Sequence, residues 1–231
     1  MSIAANLKII QERIAAAARK AGRDPAAVRL VAVSKTQPAA AVAAAARCGQ
    51  LFFGENYVQE LIAKAAEVTE PVEWHFIGNL QSNKVRQIAG LARMVHSVDR
   101  LSLAQEIDRQ WGKTGNVCDI LVQVNIACEA TKCGTATGEL FHLVQDIARL
   151  THVRVRGLMT MPPFFDDPEG ARPYFRELQR LAAEIAAQGI AGVAMDELSM
   201  GMSGDFEVAI EEGATLVRVG SAIFGERHYP A

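Results

Sequence analysis

The stretch Leu30-Val-Ala-Val-Ser-Lys-Thr-Gln-Pro38 begins as a short apolar run and then reaches a lysine. Its apolar character is continuous rather than alternating, which is typical of a parallel strand that is covered on both faces. A doubly wound open sheet that binds a dinucleotide would place a glycine fingerprint directly after its first strand. Here Lys35-Thr-Gln-Pro38 stands in that place, so the stretch favours a closed barrel over an open sheet.

Seven similar runs follow, separated by helix-like stretches rich in alanine and leucine. The predicted strands are Leu30–Ser34, Leu51–Phe53, Trp74–Ile77, Met94–Val98, Ile120–Asn125, Val155–Thr160, Glu197–Met200 and Leu216–Val219. The predicted helices after them cover 39–47, 57–68, 82–90, 100–110, 138–150, 169–187 and 204–212. An apolar stripe at helical spacing from Ile3 to Ala17 predicts a leading helix that covers the bottom of a barrel or packs beside it. Eight such units predict an α/β protein with one (β/α)8 TIM barrel, a single domain over 1–231.

Composition places the chain among globular proteins. Half of its 231 residues are hydrophobic, 22% are charged and the net charge is −2, so we expect neither disorder nor binding to nucleic acid or a membrane surface. The first residues lack a signal-peptide pattern, and no apolar stretch approaches the ~20 residues of a transmembrane helix. The 4 cysteines are too few and too irregular for a disulfide framework or a structural zinc site. We therefore expect a reduced, cytoplasmic protein without a metal site, and a monomer because no long apolar helix face needs a partner.

The carboxyl ends of the predicted strands carry the candidate functional groups, because barrels place their sites there. Lys35 closes the first strand, and its amine attacks a carbonyl only when neutral, which requires partial desolvation. Gly220 and Ser221 follow the last strand in a small-residue loop that offers backbone N–H groups and a hydroxyl to a phosphate. Ser203 is the predicted N-cap of helix 204–212, with its hydroxyl facing the same region. In a closed barrel the first and last strands are neighbours, and an amine beside a phosphate-binding loop points to pyridoxal 5′-phosphate (PLP).

The sequence leaves alternatives open for individual side chains. Lys35 is either this nucleophile or a lysine that caps a strand end and reaches solvent. Arg218, within the last strand, needs a partner because an unpaired buried charge costs several kcal/mol. That partner is either the pyridine nitrogen of the cofactor or a carboxylate such as that of Glu197. Asp205 and Glu207 are expected to point outward, because inward carboxylates would repel a phosphate.

Six sequence blocks together resemble the YggS/PROSC family of PLP-binding proteins, also called pyridoxal phosphate homeostasis proteins. The blocks are Val31–Thr36, Phe53–Glu60, Trp74–Lys84, Gly157–Met161, Leu198–Ser203 and Val217–Gly225. The resemblance covers essentially the whole chain and implies the barrel of the alanine racemase N-terminal domain, the type III fold of PLP enzymes. It also implies a cofactor site that contains Lys35, Asn56, Met200, Ser203, Arg218, Gly220 and Ser221.

The resemblance implies a role for each of these residues. Lys35 would form the internal aldimine, Asn56 would lie beside the ring and Arg218 would approach the pyridine nitrogen. Met200 would pack near the cofactor. The remaining three residues would hold the phosphate, and Ser221 stands where the family often has threonine.

The resemblance implies a cofactor carrier rather than an enzyme, so no residue is predicted to be catalytic. Such proteins would bind, buffer and deliver PLP to apo-enzymes and keep vitamin B6 and amino-acid pools balanced. The alternative is a PLP-dependent amino-acid racemase or eliminase that uses Lys35 with Tyr57 or His75 as its two bases. A sugar-phosphate aldolase with Lys35 as its Schiff-base lysine is a third hypothesis.

Two smaller hypotheses concern other side chains. Lys84 and Lys132 are the alternative attachment points for the cofactor if Lys35 is not the nucleophile. Cys128 and Cys133 lie close together in sequence, in a segment where the family pattern would not place cysteines. A disulfide or metal contact between them is a minor hypothesis.

Overall fold

The computed structural model describes residues 2–127, 129 and 133–225. Cys128 and Lys132 lie outside the described residues, and with them the hypotheses on a Cys128–Cys133 contact and on Lys132 as an attachment point. Cys133 is described and exposed. None of the helices in the described ranges has the length and hydrophobicity that a membrane span requires. The same ranges contain no group of three or more His, Cys, Asp or Glu side chains placed to hold a metal ion.

Eight parallel strands form one closed barrel in sequence order, which confirms the predicted fold. The strands are β1 (Arg29–Val33), β2 (Phe52–Glu55), β3 (Glu73–Phe76), β4 (Ala92–Val98), β5 (Cys118–Gln123), β6 (Val153–Met159), β7 (Val193–Ser199) and β8 (Leu216–Val219). The α-helices are α1 (Ile3–Lys20), α2 (Ala39–Arg47), α3 (Val58–Glu67), α4 (Val85–Ile88), α5 (Leu101–Thr114), α6 (Leu140–Ile147), α7 (Arg172–Ala187), α8 (Phe206–Glu211) and α9 (Ser221–Phe224). Short 3-10 turns lie at Pro25–Ala27, Ser82–Lys84 and Pro168–Ala171.

The leading helix α1 packs beside the barrel, which is one of its two predicted positions. It contacts α8 and α9, whose chain segments come last in the sequence. Asn6 donates its side-chain amide to the carbonyl of Ile223 at 2.8 Å, and Arg13 donates to Glu207 at 2.7 Å. Helix α1 therefore ties the beginning of the chain to the segments on either side of β8.

Element boundaries differ from the prediction where local signals were weak. Strand β7 begins at Val193, four positions before the predicted start, because its first half is only partly buried and does not read as an apolar run. Helix α5 extends to Thr114 and ends at Gly115, whose φ of +72° is the left-handed conformation that glycine adopts at helix ends. The predicted helix over 82–90 is a 3-10 turn followed by the single-turn α4.

The barrel has an apolar layer inside it and a larger core outside. The large core lies between the strands and the surrounding helices. A separate small cluster, which we place inside the barrel, consists of Val31, Met94, Leu121, Met159 and Leu216. Stacked layers of interior side chains are typical of this fold. The remaining buried side chains on the strands include a histidine-containing polar set, which lies below the candidate site.

Candidate functional site

Strands β1 and β8 close the barrel and bring its two predicted ligand-binding segments together. They pair in parallel, with Val31 opposite Arg218 and Ala32 opposite Val219. The turn after β1 and the loop after β8 therefore share the rim formed by the carboxyl ends of the strands. A Cβ on Gly220 would lie 3.1 Å from the carbonyl oxygen of Val33, so glycine lets the two segments approach closely. The predicted proximity of the Lys35 turn to the Gly220 loop is confirmed.

A cavity of about 100 Å³ at this rim, the rim cavity, contains side chains from both segments. Its lining residues are Val33, Lys35, Asn56, Ile77, Met161, Met202, Ser203, Arg218, Gly220 and Ser221. Six of the seven predicted site residues are in this set. Met200 is not, because its fully buried side chain lies in the core between strands and helices. Met202, two positions further along, lines the cavity in its place.

The hydroxyls of Ser203 and Ser221 lie 3.4 Å apart, although they come from the loops after different strands. The sequence had predicted Ser203 as the N-cap of the following helix, and this prediction is wrong. Asp205 occupies that position, and its carboxylate accepts a hydrogen bond from the backbone N–H of Met202 at 2.6 Å. Aspartate is as good an N-cap as serine, so residue type alone did not separate the two. The Ser203 hydroxyl consequently lines the rim cavity instead of closing a helix end.

The two carboxylates near this loop stay out of the rim cavity. Glu207 points away from the cavity, as predicted, and it pairs with Arg13 of α1. Asp205 is half-buried rather than directed to solvent, and this burial raises the pKa of its carboxyl group. Neither residue lines the rim cavity, so neither opposes an anion there by direct contact.

Arg218 forms a cationic wall of the rim cavity. It is only 4% exposed, and it donates to the Ser199 hydroxyl at 2.6 Å and to the Thr160 carbonyl at 3.0 Å. The predicted alternative partner Glu197 is wrong, because that carboxylate pairs with Arg29. Burial lowers the pKa of Arg218 to about 10, so the guanidinium remains protonated at neutral pH. With no ion pair to a carboxylate within the described residues, this charge favours an electron-rich ligand atom in the cavity.

A buried hydrogen-bonded chain continues from Arg218 into the barrel. His96 Nδ1 lies 2.9 Å from the Ser199 hydroxyl, and His96 Nε2 lies 2.9 Å from Nδ1 of His75. Arginine only donates, so the Ser199 oxygen accepts a hydrogen bond from Arg218. The two imidazoles continue the hydrogen-bonded chain from Ser199 through His96 to His75.

The environment of the two histidines keeps them uncharged. Burial is the main cause, and it lowers the pKa of His75 to about 3 and that of His96 well below its usual value. This series of hydrogen-bonded side chains was not predicted from the sequence. The available signal was a histidine within each of two consecutive apolar strands, at His75 in β3 and His96 in β4.

A second cavity of about 230 Å³, the side cavity, shares Asn56, Ile77 and Met161 with the rim cavity. The side-chain oxygen of Asn56 is buried and has no hydrogen-bond partner in the part of the chain that the structure describes. A ligand at this shared wall would satisfy it. Gly78 permits the close packing here, because a Cβ on it would lie 2.3 Å from the backbone oxygen of Asn56.

The other residues considered for chemistry lie outside both cavities. Tyr57 precedes α3 and is 53% exposed, and His75 is buried inside the barrel. Lys84 ends the 3-10 turn before α4. None of the three lines the rim cavity or the side cavity. Lys35 is thus the lysine that the described structure places at the rim cavity.

Comparison with known proteins agrees with this architecture. The sequence profile described as "Alanine racemase, N-terminal domain" matches residues 5–228. A pyridoxal phosphate homeostasis protein of Aquifex aeolicus is 44% identical over 99% of this chain and 100% of its own length. Another, from Pseudomonas aeruginosa, is 45% identical over 100% of this chain and 98% of its own length. The solved structure of PipY from Synechococcus elongatus PCC7942 with PLP bound has a TM-score of 0.85 and 37% identity, covering 97% of this chain and 100% of that one.

The similarity extends over the whole chain, well beyond the rim. It confirms the family resemblance read from the six sequence blocks. This chain belongs to the alanine racemase N-terminal domain family and, within it, to the family of pyridoxal phosphate homeostasis proteins.

Proposed function

We propose that this protein binds PLP reversibly through Lys35 and serves as a carrier that buffers the cofactor and delivers it to apo-enzymes. One observation carries the proposal. The rim cavity combines an amine from the β1 turn, two neighbouring serine hydroxyls from the loops after β7 and β8, and the guanidinium of Arg218. The names of the relatives and the PLP-bound PipY structure support the same ligand.

The residues of the rim cavity fit the functional groups of PLP. Ser203, Ser221 and the backbone N–H groups after Gly220 would hold the phosphate. Asn56 would use its unpartnered oxygen or its amide N–H at the ring. Arg218 would donate to the pyridine nitrogen, because it keeps its proton at neutral pH.

PLP supplies an aldehyde and an electron-withdrawing ring. In its neutral form the Lys35 amine would attack the aldehyde carbon to form a C=N bond, and the carbonyl oxygen would leave as water with the two amine hydrogens. Attack by water or by another amine on the same carbon reverses the bond and restores the lysine. Arg218 leaves the ring nitrogen unprotonated, which weakens the ring as an electron sink and favours storage over bond cleavage at an amino acid.

The carrier role is also supported by what surrounds Lys35. A racemase needs a second base on the opposite face of its substrate, and the candidates Tyr57 and His75 line neither cavity. The low pKa of His75 comes from its burial in the barrel, where it bonds to His96. Neither of the two bases considered for a racemase therefore lines the cavities at this rim.

A transfer experiment tests the carrier role. The protein is loaded with PLP, freed of unbound ligand and mixed with an apo-enzyme that requires PLP. We expect the apo-enzyme to become active, with loss of the visible absorbance of the loaded protein. A membrane-separated sample provides the control for transfer through free PLP. Absence of activation would contradict delivery, and exchange of the α-hydrogen of an amino acid for deuterium would support the racemase instead.

We expect the Ser203→Ala/Ser221→Ala double variant to lose affinity for PLP by roughly 100-fold, or ~2.7 kcal/mol, because each hydroxyl donates to a charged phosphate. Titration by absorbance measures this loss. Affinity for pyridoxal, which has the aldehyde but no phosphate, should not change. Ser102→Ala, on the exposed face of α5, is the matched control. Equal weakening of both ligands would show that the serines do not act through the phosphate.

A further inference from the structure

The backbone on both sides of Lys35 is held by side chains from β2 and α3. On one side, the Ser34 carbonyl accepts from the Lys64 ammonium at 2.6 Å, and the Ser34 hydroxyl donates to Glu55 at 2.6 Å. On the other side, the Thr36 N–H donates to the Glu60 carboxylate at 2.7 Å. Lys35 therefore projects from a turn that is anchored at both of its neighbours.

Lys64 connects the two anchors. Its ammonium lies 2.7 Å from Glu55 and 2.8 Å from Glu60, in addition to its bond to the Ser34 carbonyl. Lys64 is only 5% exposed and Glu55 is fully buried. A lysine is rarely buried to this extent unless it is paired. The four side chains of Ser34, Glu55, Glu60 and Lys64, which we name the turn clamp, form one hydrogen-bonded unit.

Thr36 shows that the turn needs such an anchor. It is the non-glycine residue of the described chain with a positive φ, at +64°. A β-branched side chain is strained in this left-handed region. Its hydroxyl is also buried without a hydrogen-bond partner among the described atoms. A strained conformation persists only where its surroundings determine it, and here the hydrogen bond that the Thr36 N–H donates to the Glu60 carboxylate does so.

We propose that Glu60, linked through Lys64 to the rest of the turn clamp, is a positioning residue that aims the Lys35 amine into the rim cavity. This inference rests on the proposed function, because the direction of the Lys35 amine matters for forming a C=N bond with PLP. Without the carboxylate, Thr36 relaxes toward an ordinary negative φ and the adjoining Lys35 changes direction. The proposed phosphate-binding loop after β8 contains no residue of the turn clamp, so we expect the loss of the Glu60 carboxylate to leave its conformation unchanged.

The test uses Glu60→Ala and Glu60→Gln. Glu60 is preferred to Lys64 because its side chain is 29% exposed, whereas removal of Lys64 would leave the buried Glu55 without its cation. The Gln variant keeps an oxygen that accepts from the Thr36 N–H, so it should rescue most of the effect. Glu67→Ala, at the exposed end of the same helix α3, is the control.

Two measurements separate positioning from general damage. In the ligand-free protein, amide hydrogen exchange at Thr36 should rise by about ten-fold in Glu60→Ala, equivalent to the loss of one ordinary hydrogen bond. In titrations, Glu60→Ala should weaken PLP binding by about ten-fold. It should leave unchanged the binding of pyridoxine 5′-phosphate, which has the ring and phosphate but no aldehyde.

The outcomes are distinct. Unchanged PLP binding in Glu60→Ala would overturn the proposal, with or without faster exchange. Equal weakening of both ligands would also overturn it, because the effect would then not pass through the amine. A parent protein that forms no C=N bond with PLP would refute the proposed function instead, and Thr36 exchange would still show whether Glu60 holds the turn.

Discussion

Lys35→Ala is expected to abolish the visible absorbance that PLP acquires on binding, while weak binding of the ligand persists. The absorbance comes from a C=N bond between the aldehyde and a primary amine, and Lys35 is the lysine that the described structure places in the rim cavity. The serine hydroxyls and Arg218 are unaffected by the substitution. We expect affinity to fall on the order of 100-fold, or ~2.7 kcal/mol, rather than to vanish.

Absorbance titration measures the chromophore, and equilibrium dialysis measures the residual binding. Lys84→Ala is the matched control, since Lys84 follows β3 but lines neither cavity. Borohydride reduction followed by peptide mapping identifies the modified lysine in the parent. A Lys35→Ala protein that stays as yellow as the parent would show that another lysine is the attachment point, with Lys84 and Lys132 as the first to examine.

The free energy of unfolding is expected to fall steeply between pH 6.5 and about 3, by up to ~5 kcal/mol from His75 alone. The pKa of His75 is lowered from 6.5 to about 3, mainly by burial, with a further contribution from Arg29 and Arg93. Below pH 6.5 the unfolded chain binds a proton that the folded chain does not bind, so acid favours unfolding. Each pKa unit corresponds to ~1.4 kcal/mol. His96, whose pKa is also lowered, adds to the loss in the same direction.

Urea unfolding at a series of pH values measures this slope. His75→Phe removes the titrating group and retains an aromatic ring next to Phe52, which lies 5.4 Å from the His75 ring. The variant should be less stable at pH 7, because His96 loses a hydrogen-bond partner, but its stability should depend less on pH. His142→Gln, on the exposed face of α6, is the control that should keep the parent slope. An unchanged slope in His75→Phe would assign the acid sensitivity to other groups.

The barrel and the location of its site were predictable because they follow from order along the chain. Continuous apolar runs that alternate with helices predict parallel strands, and closure makes the first and last strands neighbours. Lys35 and Ser221 were placed together on that basis alone. Strand order in the structure is sequential, so this step needed no side-chain detail.

Side-chain directions at the strand ends were not predictable in the same way. Whether Met200 or Met202 faces the rim depends on the turn at Gly201, where φ is +88°. A sequence pattern does not contain that angle. Ser203 and Asp205 are both residue types that favour the N-cap, and the helix begins directly after Asp205, so residue type alone did not separate them. Glu197 was a reasonable candidate partner for Arg218, but its carboxylate forms an ion pair with Arg29, the first residue of β1.

The buried polar groups were the hardest to predict, because they depend on contacts between distant positions. Lys64 and Glu60 lie on a helix where charged residues usually face water, and nothing local distinguishes them from solvent-exposed neighbours. Their contacts to Ser34 and Thr36 cross 24 to 30 positions of sequence. His75 and His96 are likewise joined only through the packing of β3 against β4.

The pairing of β1 with β8 also has a consequence for biosynthesis. During translation, β1 and Lys35 leave the ribosome well before β8 and Ser221, because the two strands lie far apart in the sequence. Until β8 is made, the Lys35 turn has no neighbouring Gly220 loop, and the barrel cannot close between β1 and β8. On the proposed function, a nascent chain can therefore bind PLP at this rim only after β8 has been made. A chain truncated before β8 would have the lysine but not the loop proposed to hold the phosphate.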